Sequence, residues 1–497
     1  MKKPSGQLFF LIKSLSKSEK RYFRQYANRH KSKQNHYLEL FDAILTQKTY
    51  DEALLKEKLQ HTSYGNYLAV AKNYLYQQIL DSLHLFYQSN SIRSKIAKQL
   101  NFCAILARKG LSEQAANALK KARKWVEEYE LWEYQPLLIK TERQLMRQNL
   151  NQHQSSYQEM ERVLADLKTL NWYWEKNNSV LNLHYQRVNV QGGQQQEQLK
   201  AIIDDLLEEG PPKQLQAQVS YYRTLATAAF MSGDAKKAYA YNKQTLLLFE
   251  EHPTLVELEP RLYLGIFNNF LIDNSTLKQY DEVEKGIVKL RQLPQMSVFK
   301  PFAKLESRIF ELTYTLQLNA RIAQTKFKET LVLIPMVKKG LQKYKKTVSI
   351  NYQLQFHYLI AYVLFMNQHY EEALEHLDIL RKPRYKDIME ELVMAGHRLY
   401  LLAHYELGNY LFLENIITTL KRLSKKKKRS VELDNTLFKY IGKLANPVLS
   451  RQEKQQLWTL FAEELLPLKQ QENTKRAWVY FNFDAWLDAK LGGKLNQ

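Results

Sequence analysis

Five residues in the second half of the chain have the types and spacing that metal ions use. Glu372 and His376 lie four residues apart and would share one face of a helix, with His369 seven residues before His376. His397 and His404 repeat the seven-residue spacing. Two such faces would bind zinc if they met. Because the sequence fixes no thiol or further acidic ligand, we expect partly exposed histidines and no metal site.

Other signatures of catalysis are missing from the sequence. It contains no glycine-rich phosphate loop, no HExxH pair and no nucleophile elbow. The single cysteine, Cys103, occupies a small apolar position of a helix, where packing accounts for it. We therefore predict that the chain is not an enzyme and has no catalytic residue, cofactor or resident metal.

The strongest deviation in composition is the charge. The 73 Lys and Arg residues outnumber the 51 Asp and Glu residues, which gives a formal charge of +22. Such a charge favours solubility, and equally favours an acidic partner or nucleic acid. One cysteine excludes a disulfide framework and fits a reducing compartment, so we expect a cytoplasmic protein. No stretch approaches the roughly 18 apolar residues of a membrane span.

The elements that would position these residues are helices. Gly and Pro number only 15 and 12 in 497 residues, so the chain has few turn signals. Residues 356–380 contain two apolar stripes at three- and four-residue steps, separated by a polar break at residues 367–369. This pattern predicts two helices folded back on each other. A hairpin of this kind needs a similar neighbour to bury both apolar faces, which is the logic of a solenoid.

Weaker copies of the second stripe recur along the chain at spacings of 39 to 46 residues. Each copy places apolar residues at i, i+4 and i+7, and the first residues of the copies are Ala115, Met160, Leu199, Ala238, Val283, Phe327, Ala373 and Leu413. The copy at Ala238 is poorer, since its other two positions are Asn242 and Thr245. Gly110, Gly233 and Gly408 precede three of the copies and predict left-handed turns. The fold class predicted is all-α, an α-solenoid of stacked hairpins over residues 91–445.

Two hairpins carry a family resemblance. Ala226, Gly233, Asp234 and Ala238, and likewise Ala361, Tyr370, Ala373 and Leu377, resemble the small-residue, turn and alanine positions of tetratricopeptide repeats. The spacing exceeds the roughly 34 residues of that family, which implies longer helices or loops. The resemblance implies a helical scaffold that binds a protein or peptide in its concave face.

The two ends of the chain are predicted to be separate helical modules. In residues 1–90, Ser16 and Glu19 have capping-box spacing, and Thr49 and Glu52 repeat it. Short helices followed by a long one allow either a helix-turn-helix or winged-helix module or a plain capping bundle. In residues 446–497, Ser450 precedes a helix, and an aromatic helix over residues 477–491 is expected to cover the last repeat.

One basic surface could contact an acidic partner. Lys17, Lys20, Arg21 and Arg24 recur at helical spacing behind Ser16 and would project together. The favoured function is a non-enzymatic scaffold for a protein or peptide. The alternative is a nucleic-acid-associated regulator, with this basic module on phosphates and the repeats sensing a ligand.

Overall fold

The chain is all-helical in a computed structural model. The structure describes residues 6–29, 36–59, 67–88, 91–145, 150–186, 193–299, 302, 304–385, 388–427, 431–471, 474 and 476–492. Every regular element within these ranges is an α-helix or a short 3-10 turn. The all-α prediction is therefore confirmed.

The helices of the first part of the chain vary from seven to 37 residues in length. They are α1 (Gln7–Ser14), α2 (Lys17–Arg29), α3 (His36–Thr46), α4 (Glu52–Lys58), α5 (Leu68–Tyr87), α6 (Ile92–Arg108), α7 (Ser112–Glu128), α8 (Gln135–Leu145), α9 (Leu150–Gln186) and α10 (Gly193–Glu209).

The remaining helices mostly form neighbouring pairs, and in each pair the helix that comes earlier in the chain is called the first helix and the later one the second helix. They are α11 (Leu215–Ser232), α12 (Ala235–Glu251), α13 (Pro253–Leu258), α14 (Pro260–Thr276), α15 (Tyr280–Gln292), α16 (Leu305–Ala323), α17 (Phe327–Thr330), α18 (Leu333–Lys343), α19 (Ile350–Met366), α20 (Tyr370–Leu380), α21 (Glu390–Glu406), α22 (Tyr410–Lys427), α23 (Val431–Leu444), α24 (Arg451–Leu465), α25 (Arg476–Tyr480) and α26 (Phe483–Lys490).

The chain divides into two compact units. The first comprises Met1–Asn182 and Lys200–Tyr221, and the second comprises Leu183–Leu199 and Tyr222–Gln497. The division falls within α9, α10 and α11. The boundaries expected from sequence, near residues 90 and 445, stay predictions.

Helices α1 to α5 of the first unit share one apolar core. Ile12 of α1, Leu40 and Ile44 of α3, and Leu75 and Ile79 of α5 are all fully buried in it. These residues recur at three- and four-residue steps, which places them on one face of each helix. The five helices therefore form a bundle around a single core.

The caps of this bundle confirm one prediction and correct another. The Ser16 hydroxyl accepts the Glu19 N–H at 3.2 Å, and the Glu19 carboxylate accepts the Ser16 N–H at 2.6 Å. The second predicted box is wrong, because Asp51 and not Thr49 caps α4, accepting the Leu54 N–H. Asp51 is the cap because it directly precedes α4 and its carboxylate reaches the third N–H of that helix.

Helix α9 corrects one of the predicted hairpins. It runs without interruption through the copy that was expected to begin at Met160, and Leu164 of that copy is 44% exposed. The α6–α7 pair, in contrast, buries Ala115, Leu119 and Ala122 as predicted. A three-residue stripe is common to any amphipathic helix, so it does not by itself specify a hairpin.

Neighbouring helices of the second unit are joined by a recurring turn. Gly233 and Gly408 are left-handed as predicted, with φ of 78° and 73°. Lys278, Thr325 and Gln368 adopt the same conformation without being glycine. In each turn the next N–H bonds to a carbonyl five residues back, as from Asp234 to Ala229, Gln279 to Asn274, Lys326 to Arg321, His369 to Leu364 and Asn409 to His404. From Gly233 to Gly408 the turn residues are separated by 45, 47, 43 and 40 residues.

The predicted second-helix stripes hold in this unit with one shift in register. Residues 283, 287 and 290, residues 373, 377 and 380, and residues 413, 417 and 420 are buried as predicted. The copy expected to begin at Phe327 is wrong by three residues, because Thr330, Ile334 and Val337 form the buried stripe. Thr330 was overlooked because its hydroxyl, which bonds to the Lys326 carbonyl, makes it a polar residue in sequence.

The copy at Ala238 lies on α12 and packs against α14 through a polar contact. Asn242 and Thr245 are buried, and the Asn242 side chain donates to the Asp273 carboxylate at 2.6 Å. Burial raises the pKa of Asp273 to about 6, with the Asn242 hydrogen bond opposing the rise. A buried amide and carboxyl can replace apolar residues where they satisfy each other.

Candidate functional site

The surface of α19 holds another part of the chain. The Tyr358 hydroxyl donates to the main-chain carbonyl of Tyr480 at 2.9 Å, and the Tyr362 hydroxyl accepts the main-chain N–H of Asn482 at 2.9 Å. Burial raises the pKa of Tyr362 to about 12, and that of Tyr358 well above its ordinary value. Both phenols therefore stay protonated near neutral pH, and α19 recognises backbone groups of residues 476–490.

Aromatic side chains complete this contact. The Phe481 ring lies 5.2 Å from that of Tyr362 and 5.6 Å from that of Phe365. The Trp486 indole N–H donates to the Glu406 carboxylate of α21 at 2.9 Å. Phe481 and Trp486 are both about 4% exposed. The segment thus combines main-chain hydrogen bonds with buried aromatic anchors, which is how helix faces hold peptides.

This placement refines the prediction for the aromatic helix. Two helices, α25 and α26, replace the single one expected. They contact α24 and α21, the first helix of the last predicted repeat, and the intervening residues contact α19 of the preceding pair. Apolar spacing indicated that the segment is buried, but the aromatic residues alone did not specify against which helices.

The contact positions on α19 have equivalents on other first helices. Tyr358, Tyr362 and Phe365 precede the left-handed residue Gln368 by ten, six and three positions. The same offsets give Thr315, Asn319 and Ile322 on α16, Asn268, Ile272 and Ser275 on α14, and Arg223, Thr227 and Phe230 on α11.

These equivalent positions are partly open. Ile272 is 38% exposed and Phe230 57% exposed, and Asn319 is also exposed. The Thr315 hydroxyl is buried and has no hydrogen-bond partner within the described part of the chain. Arg223 is half-buried, and burial lowers the pKa of its guanidinium while the charge of Glu259 opposes the shift. The buried Thr315 hydroxyl is out of reach of a partner and the Asn319 amide donates to the Thr315 carbonyl at 2.9 Å, so the exposed Ile272 and Phe230 side chains are what this surface offers.

The structure separates the histidines that the sequence singled out. His376 pairs with His357, which sequence analysis missed, at 2.8 Å between the two Nδ1 atoms. His369 instead contacts Glu372 at 3.1 Å, and His404 contacts the Asn409 amide at 3.1 Å. Among the described residues, no group of three or more His, Cys, Asp and Glu could hold a metal ion. His357 lies 19 residues before His376, a separation that no helical period indicates.

The predicted basic face lies on α2. Lys17, Arg21 and Arg24 are exposed and Lys20 is half-buried. Arg24 pairs with Asp42 at 2.5 Å and lies over the Phe41 ring, while Lys17, Lys20 and Arg21 form no ion pair with the described residues. The structure thus places the four cations on one helix, but one of them, Arg24, is already paired with Asp42 of the same bundle.

Two further expectations concern Cys103 and the membrane. Cys103 is fully buried, and burial raises the pKa of its thiol. Over the described ranges, none of the helices is both long and apolar enough to cross a bilayer.

Together the fold and the site define an all-helical protein of neighbouring helix pairs, in which α19 holds residues 476–490. No family model matches this chain, and no curated protein or solved structure matches it either. The function is therefore argued from the geometry.

Proposed function

We propose that this chain is a helical-repeat scaffold, similar to tetratricopeptide proteins, that binds a protein or peptide segment along its first helices. In this proposal the pairs of the second unit stack as an α-solenoid, and the first helices line its concave face. Contacts of α14 with α16, α16 with α19, α19 with α21 and α21 with α23 support the stacking. The non-enzymatic and cytoplasmic expectations are part of the same proposal, in keeping with the single buried cysteine.

One observation carries the proposal: α19 already binds a peptide segment, residues 476–490 of the same chain. Tyrosine hydroxyls contact its backbone and a ring pocket holds Phe481. Backbone contacts do not depend on sequence, whereas the ring pocket selects a side chain. A partner segment on the equivalent, open positions of α14 and α16 would be held in the same two ways, by contacts to its backbone and by contacts to its side chains.

The chemistry of the open positions indicates what this partner presents. Ile272 and the half-buried Ile322 offer apolar contact, the Asn268 amide offers hydrogen bonds to backbone groups, and Arg223 offers a cation. With a formal charge of +22, the chain favours acidic partners through long-range attraction. We propose a segment that carries aliphatic side chains and at least one carboxylate.

Site-specific photo-crosslinking tests this proposal. A benzophenone amino acid at Asn319 should capture a partner protein in the cells that make this chain. The same probe at Val288, which is 55% exposed on the second helix α15, should not. Adding Ile272→Asp should abolish the Asn319 product. Equal products from the two probes, or no effect of Ile272→Asp, would exclude the first-helix face as the binding surface.

The alternative function is a nucleic-acid-associated regulator. Three cations of α2 that pair with none of the described residues favour it, since each is available to a phosphate. In this alternative the basic module contacts phosphates and the helix pairs sense a ligand.

A further inference from the structure

A cleft lies on the opposite side of α16 from the positions discussed above. It has a volume of about 400 Å³, and α16, α18 and the end of α15 form its walls. This volume is within the range of about 300–1,000 Å³ typical of small-molecule sites.

The floor of the cleft is aromatic. The Phe310 ring lies 5.2 Å from the Tyr314 ring and 5.6 Å from the Tyr344 ring. Gly340 lets α18 approach this floor, because a Cβ atom there would lie 2.0 Å from the Phe310 ring. On one lip, Met336 is 52% exposed. Phe310 is only 6% exposed and the Lys343 ammonium lies 4.6 Å above the Tyr344 ring, so the accessible apolar surface is Met336 together with the parts of the Tyr314 and Tyr344 rings that stay uncovered.

The polar groups around this floor are mostly cationic. Arg291 is fixed by hydrogen bonds to Thr313 and Gln317 and lies 4.7 Å above the Tyr314 ring. These bonds use two of its five N–H groups and leave the others available. Lys339 also lines the cleft and forms no ion pair with the described residues.

The acidic group of the cleft is already neutralised. The Glu306 carboxylate accepts hydrogen bonds from Lys343 at 3.2 Å and from the Tyr344 hydroxyl at 3.0 Å. The Lys343 bond is the main cause of the lowered pKa of Glu306, so this group stays ionised and paired. Arg291 and Lys339 are then left without a carboxylate of the cleft, and their charge is complementary to an anion.

We propose that this cleft binds a small organic anion with an apolar body, its charged group beside Lys339 and Arg291 and its body against Met336 and the uncovered parts of the Tyr314 and Tyr344 rings. The site is independent of the first-helix face. It adds a ligand to a protein for which sequence indicated a macromolecular partner.

A matched pair of fluorescent probes tests the site. Anilinonaphthalene sulfonate carries a sulfonate on the same ring system as uncharged N-phenyl-naphthylamine. The full-length chain should bind the sulfonate at one saturable site, at least about tenfold more tightly than the uncharged probe. Lys339→Glu should weaken sulfonate binding by about tenfold or more and leave the uncharged probe within about threefold, since it reverses one charge at the mouth.

Two further variants separate this site from general surface attraction. Lys345→Glu makes the same charge change on an exposed residue outside the cleft and should leave the preference intact. Met336→Glu places a carboxylate on the apolar lip and should abolish the preference. Circular dichroism confirms that each variant is folded. Equal binding of both probes by the unaltered chain, or equal effects of Lys339→Glu and Lys345→Glu, would overturn the proposal.

Discussion

Nδ1 of His357 lies 2.8 Å from Nδ1 of His376, across the interface between α19 and α20. One nitrogen must donate and the other accept, so the accepting ring must be neutral and the bond is lost once both rings are protonated. Burial lowers the pKa of His357 to about 4 and that of His376 to about 3; the charges of Lys382 and Lys338 add to the shift of His357, and the charges of His357 and Lys338 add to that of His376. The pair is therefore a polar contact that acid disrupts.

The first prediction follows from the sign of these shifts. Because the folded-state pKa values lie below the unfolded value of about 6.5, the stabilisation is complete above pH 6.5 and is lost as pH falls toward about 4. The free energy of unfolding should fall by about 1.4 kcal/mol per pH unit for each histidine in that window. Denaturant titrations at several pH values measure this slope.

Two variants show whether the pH dependence of the free energy of unfolding comes from His357 and His376. His376→Leu should flatten the pH dependence, whereas His369→Gln, at an exposed histidine, should not. An unchanged slope in His376→Leu would show that other groups cause it.

The second prediction concerns the centre of the α19–α20 pair. Ala373 is fully buried between the two helices. Ala373→Arg should destabilise the protein by about 4 kcal/mol or more, since a long cationic side chain would enter a filled apolar interface. Glu371→Arg, two residues away and exposed in the first turn of α20, should cost only about 1 kcal/mol, through the helix dipole. Similar melting temperatures for the two variants would contradict the buried position.

The third prediction tests how α19 holds residues 476–490. Tyr362→Phe removes the hydroxyl that accepts the Asn482 N–H and leaves that group without its partner. We expect a loss of about 1–3 kcal/mol, together with faster hydrogen exchange in this segment. Tyr239→Phe is the control, because the Tyr239 ring stacks on Phe270 without relying on its hydroxyl. Exchange that rises equally in both variants would mean that the hydroxyl does not anchor the segment.

The fourth prediction separates the two proposed functions. If Lys17, Lys20 and Arg21 contact phosphates, the logarithm of duplex affinity should fall against the logarithm of salt with a slope of about −0.9 per contact, or about −3 in total. Lys17→Glu with Arg21→Glu should reduce the slope by about 2. The control, Lys56→Glu with Lys58→Glu, changes charge equally on α4 of the same bundle. If both double variants weaken binding alike, the attraction is unspecific and the scaffold function is favoured.

Much of the fold follows from local sequence. Few glycines and prolines and apolar residues at three- and four-residue steps are enough to place helices, because helix formation depends on neighbours within one turn. The Ser16 and Ser450 caps were predictable for the same reason, and so were the glycine turns at 233 and 408. The sequence also indicated a basic face on α2 and a buried Ala373.

Tertiary packing decided the remainder. Lys278, Thr325 and Gln368 adopt left-handed turns at a cost of about 1–2 kcal/mol each, and only the packing of the flanking helices makes that conformation favourable. The contact of Tyr362 with Asn482 joins residues 120 positions apart, which no local period encodes. The same holds for the His357–His376 pair and for the cleft beside α16. Local periodicity shows that a helix has a buried face, but the partner of that face depends on contacts between residues distant in the chain.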